Sequence, residues 1–148
     1  MPSLSDLPIT TATPSDRPHI LVWDTCNEDG LQTLCFRYGT YRANYAQDLI
    51  SRHAQQSKSQ YLLLSKRIDR EIESLRNIGH DSPKSNVQLE GLDRLITYLA
   101  VDSSDNLRLF WQKLADLRQL PKRFWIILPS TLVSSDWPQS RLHLVENS

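Results

Sequence analysis

Four glycines, two cysteines and one methionine in 148 residues leave little room for several common chemistries. No GxGxxG or GxxxxGK[ST] run occurs, so the chain has no glycine-rich loop able to wrap backbone amides round a phosphate. GxSxG, HExxH and CxxC are also absent, which removes the common nucleophile and zinc signatures. The histidines, His19, His53, His80 and His143, stand far apart, none with a second histidine or a cysteine one helical turn away. No metal and no cofactor is therefore expected. The 17 basic and 17 acidic residues cancel, so no overall field draws in nucleic acid or an anionic membrane. No stretch approaches the roughly 18 apolar residues of a membrane span, and no basic start followed by an apolar run marks a secretory signal. These absences point to a soluble, cytoplasmic protein with no membrane partner.

Hydrophobic residues make up 39% and charged residues 23%, the proportions of one ordinary globular domain. Pro2, Pro8, Pro14 and Pro18, spread among serine and threonine, read as a flexible arm over residues 1–18. A single domain is expected over 19–145, with a short tail at 146–148. Asp29-Gly30 between apolar runs is a hairpin signal, pairing His19–Cys26 with Leu31–Tyr38. That register puts Leu21, Trp23, Leu34, Phe36 and Tyr38 on a core face. It sets Cys26 diagonal to Cys35, poorly placed for a bridge whose Cα atoms lie about 5.5 Å apart. Free, buried thiols suit a reducing cytoplasm.

From Thr40 to Ile78 there is neither glycine nor proline. Ala46, Ile50, Ala54, Ser57, Tyr61, Leu64, Ile68, Ile72 and Leu75 recur at about 3.6 residues per step, the period of an α-helix. One helix of roughly 50 Å, or a helical hairpin broken near Ser57, is the expectation. Ser85 with Gln88 matches a capping box for a further helix carrying Leu89, Leu92, Ile96 and Leu99. Asn106–Leu120 forms another, ended by Pro121. Phe124–Leu128 and Arg141–Val145 read as strands. The fold class that follows is α+β: an antiparallel sheet from N- and C-terminal hairpins, packed against the helical middle.

A helix so long overhangs a sheet of short strands, and the overhang needs a partner surface. The leading functional reading is a non-catalytic interaction or assembly protein that binds a protein partner or itself. Its contact residues are Tyr61, Leu64, Ile68, Ile72 and Leu75, with Arg67, Arg70 and Arg76 at the rim and Trp137 as an exposed aromatic. A second reading, a nucleic-acid accessory subunit, rests on two basic stretches: Lys66, Arg67, Arg70 and Arg76, and Arg108, Lys113, Arg118, Lys122 and Arg123. A third takes Asp24, at the end of ILVWD, as a metal-binding carboxylate of a nuclease, although such chemistry needs several gathered carboxylates.

Overall fold

The computed structural model describes residues 7–54, 68–102 and 104–145. Its sheet is wholly parallel, with five strands in the order β2-β3-β4-β1-β5. The strands are β1 (His19–Val22), β2 (Tyr41–Asn44), β3 (Asn86–Glu90), β4 (Arg123–Leu128) and β5 (Leu142–Leu144). Between them lie α1 (Glu28–Tyr38), α2 (Tyr45–Ala54), α3 (Ile68–Asp81), α4 (Leu92–Asp102) and α5 (Ser104–Asp116). The protein is thus α/β, and the expected antiparallel sheet of two terminal hairpins is incorrect.

The first hairpin fails at Asn27. Its side-chain oxygen accepts from the Gly30 amide at 2.7 Å, capping a helix whose first turn carries Glu28 and Asp29 where the helix dipole favours them. Gly39, left-handed at φ 64, closes that helix by donating to the Cys35 carbonyl. Asp29-Gly30 therefore lies inside a helix. Leu34 turns inward, while Phe36, expected in the core, is 93% exposed.

The expected long helix cannot begin at Thr40, because Tyr41–Asn44 pairs with Val87–Glu90 as edge strand β2. Asn44 then caps α2, accepting from the Gln47 amide at 3.0 Å. The helix expected from Ser85 is displaced in the same way. Asn86–Glu90 alternates as a strand, Val87 and Leu89 facing one core, and Gly91 at φ 85 turns the chain into α4. A side chain at Gly91 would meet the Asn44 carboxamide, its Cβ 2.8 Å from the oxygen. The expected strands at 124–128 and 141–145 exist, but each pairs with β1 between them rather than with the other.

From β1 the chain crosses to the far edge and then returns through β3 and β4. With right-handed crossovers, α1 falls on one face and α2 to α5 on the other. Two separate cores confirm it. Leu21, Trp23, Trp125 and Ile127 pack with Leu34 of α1 and with Leu7, Ile9 and Ala12. Ile20, Val22, Leu89, Ile126 and Leu128 pack with residues of α2 to α5. Residues 7–18 are thus no loose arm, since Ile9 is fully buried and Leu7 and Ala12 nearly so.

Candidate functional site

Open α/β sheets bind ligands at the carboxyl ends of strands whose connections leave to opposite faces. Here that place is β1 beside β4, followed by α1 on one face and by the β4–β5 connection on the other. Asp24 spans it, one carboxylate oxygen accepting from the Ser130 amide at 2.7 Å and the other from its hydroxyl at 3.0 Å. Beside it lies a crevice of about 210 Å³ lined by Trp23, Cys26, Leu31, Glu90, Gly91, Asp93 and Pro129, among others.

The electrostatics of this crevice oppose an anion. Arg42 on β2 reaches both carboxylates, with contacts of 2.7 Å to Glu90 and 2.6 and 3.1 Å to Glu28. The guanidinium bonds hold the Glu28 carboxyl below its usual range and keep Arg42 firmly protonated. Gln88, which donates to Glu90 at 3.2 Å and to the Leu31 carbonyl at 3.1 Å, ties the network under α1. The α1 amino end, the natural phosphate seat, is occupied by Asn27, Glu28 and Asp29. Cys26 is an exposed residue, and desolvation of its sulfur and the nearby Glu90 push the thiol up to about 11, which favours the protonated form.

A larger cleft of about 560 Å³ lies on the opposite face, between α4 and α5 and the β4–β5 connection. That connection contains two short 3-10 turns, Ser130–Leu132 and Gln139–Arg141, where a parallel crossover usually carries an α-helix. Ile96 and Ala100 of α4, Leu107, Trp111 and Ala115 of α5, and Leu132, Val133 and Trp137 supply the apolar lining. Arg108, Gln112, Asp116, Asp136 and several hydroxyls supply the polar part. Trp137 meets Trp111 edge to face at 5.7 Å, and Arg141 stacks on its ring at 4.8 Å. Arg141 and Arg17 each donate to the Ala115 carbonyl at 2.8 Å, so two cations cap the carboxyl end of α5. The cleft wall is therefore held in place by its own anchors. Among its described lining residues nothing pairs a nucleophile with a base, and it offers apolar surface with a polar rim.

The expected contact stripe lies elsewhere. Ile68, Ile72 and Leu75 are 5%, 9% and 1% exposed and belong to the core, because α3 packs beside α5 instead of overhanging the sheet. Arg70 is exposed, and Arg76 donates to the Gln119 carbonyl at 2.9 Å. Tyr61, Leu64 and Arg67 lie outside the described residues. Trp137, expected to be exposed, is 3% exposed. Of the two basic stretches, Lys66 and Arg67 lie outside the described residues, while Arg76, Lys113 and Arg118 line one hollow between α3 and α5 with acids among them: Lys113 pairs with Asp69 at 2.7 Å and Arg108 with Asp105 at 4.0 Å. Arg123 is turned inward to the Ala12 carbonyl. Sequence reasoning missed the cleft. Its one signal is the stretch from Pro129 to Pro138, which links two apolar strands without any helical period.

No group of three or more metal-ligating side chains occurs among the described residues, and none of their helices is long and apolar enough to cross a membrane. No protein-family model, curated protein or solved structure matches the chain.

Proposed function

We propose that this chain is a non-catalytic interaction module of the cytoplasm that receives an amphipathic helical segment of a protein partner in the cleft beside α5. The observation that carries the reading is the connection from β4 to β5. The other connections on that face include α2 and α3, or α4 and α5, whereas this one has only 3-10 turns and leaves an apolar cleft beside it. A partner helix supplies the missing cover, presenting residues at i, i+3, i+4 and i+7 to Leu107, Trp111 and Val133. Arg108 and Asp116, about 12 Å apart along α5, set the polarity of the rim. They favour an acid at one end of the incoming helix and a base at the other.

The test places a photo-crosslinking amino acid at the exposed cleft residue Ala100 and, as a control, at Phe36 on α1. In the host cell, position 100 should capture a partner peptide with helical apolar spacing that position 36 does not capture. Ala100→Trp, which fills the cleft, should abolish capture from a crosslinker at Leu107. Identical captures from positions 100 and 36, or a second copy of this chain as the sole product, would sink the reading of a foreign helix.

A further inference from the structure

We infer that residues 7–18 form a proton-released strap, held over the outer face of β1, β4 and β5 while His19 and His143 beneath it are neutral. The segment includes neither helix nor strand, and its only internal backbone bonds run from Thr11 and Ala12 to the Pro8 carbonyl. Its other attachments reach the body of the fold. The Trp125 indole donates to the Ile9 carbonyl at 2.9 Å, Arg123 to Ala12 at 3.1 Å, and the Leu120 amide to Asp16 at 3.0 Å. A segment with few local contacts opens at lower free energy than the sheet it covers.

His19 is fully buried, and its Nε2 lies 2.8 Å from the Pro14 carbonyl. That carbonyl only accepts, so Nε2 carries the proton and Nδ1 is left as a bare acceptor. Nδ1 is sealed from water and has no partner, and the same holds for Nε2 of His143. The two rings lie 5.6 Å apart and both rest on Trp125, at 5.1 and 4.9 Å. Charged groups around them come from each packed element: Asp16 and Arg17 on the strap, Arg123 on β4, and Arg141 before β5 with Asp116 beyond it. The Asp16 carboxylate is engaged by the Gln119 amide. A proton on His19 would thus sit near Arg141 and Arg123, and one on His143 beside His19, with no carboxylate bonded to either ring.

Burial is the first cause that lowers both histidines below their ordinary value, with Arg141 and Arg123 adding to the effect at His19 and His19 adding to it at His143. The closed strap therefore binds fewer protons than the open one just below the ordinary histidine range. Its stabilisation is complete above about pH 6.5 and is lost as the pH falls towards the lowered values. Each histidine contributes up to about tenfold per pH unit to the opening equilibrium, and both together about a hundredfold. Opening uncovers Leu21, Trp125 and Ile127, which lie in the core beneath Ile9.

Hydrogen exchange between pH 7.5 and 5.5, corrected for intrinsic rates, tests this on the full chain through the Trp125 indole and the strap amides. The open fraction should change little from pH 7.5 to 6.5 and then rise by up to about thirtyfold from 6.5 to 5.5 with both histidines taking up protons, while β4 amides remain protected. His143→Leu should reduce the slope by up to tenfold per pH unit. His19→Gln, which keeps a donor for Pro14, should do the same, and the double variant should be flat. An unchanged slope in His143→Leu, a flat wild type, or strap and β4 exchanging together would each overturn the inference. Should His19→Gln fail to fold, His143→Leu alone decides.

Discussion

The crevice at β1 and β4 and the cleft beside α5 differ in what their own side chains leave available. In the crevice, Asp24 is latched to Ser130 by both oxygens, and Arg42 is spent between Glu28 and Glu90. In the cleft, Leu107, Leu132 and Val133 stay partly exposed beside Arg108 and Asp116, which lie at the rim. The topology builds the crevice, but phosphate or nucleotide binding also needs amides and cations there, and this chain supplies acids instead. Position in a fold and chemistry at that position are thus separate properties, and here they point to different faces of the sheet.

Trp137→Ala should sharpen the contrast most. Removing this buried ring takes away the edge contact with Trp111 and the surface on which Arg141 rests, at a cost of about 3–5 kcal/mol. Urea denaturation should show that loss, and crosslinking from Ala100 should disappear with it. A loss under about 1 kcal/mol would mean that the connection adds little to the fold, and that the cleft is not a held shape.

Gly30→Ala is the matched change in the crevice. An added Cβ would come within 2.6 Å of the Trp23 ring, which is 4% exposed and has little room to withdraw. Overpacking of this kind costs about 1–3 kcal/mol, reduced by up to about 1 kcal/mol because alanine favours the helix over glycine. Thermal denaturation should register the net loss. Capture at Ala100 should be unaffected, and if it falls in step with stability the two regions are not independent.

The sequence held β4 plainly, as FWIIL between prolines, and the helical character of 68–81, 92–102 and 104–116. It misled where two periods overlap. Leu31, Leu34 and Tyr38 fit a helix, while Leu34, Phe36 and Tyr38 fit a strand, and the cap at Asn27 decided between them. Leu89 reads as helix because Leu92 and Ile96 continue its spacing, until Gly91 is seen at positive φ. Strand direction had no local signal, since it depends on which side each connection crosses. The Ile68, Ile72 and Leu75 stripe was legible as apolar, but an apolar stripe looks the same whether α5 or a foreign helix covers it. The cleft was the least legible feature, because it arises from an element that is missing.

Asp24→Asn should have the smallest effect, and it tests whether the crevice still holds hidden chemistry. Asparagine keeps one oxygen to accept from the Ser130 amide, and its new NH2 can donate to the Ser130 hydroxyl, which turns to accept. The change at this exposed site should therefore shift stability by no more than about 1 kcal/mol in thermal denaturation. A metal bound here would have to share both Asp24 oxygens with Ser130 and compete with Arg42 for Glu28 and Glu90, the carboxylates of the adjoining network. Nuclease and phosphatase assays in Mg²⁺ or Mn²⁺ should accordingly read the same for both proteins, at background. Metal-dependent cleavage by the unaltered chain that vanishes in Asp24→Asn would reverse the comparison and make the crevice the working site.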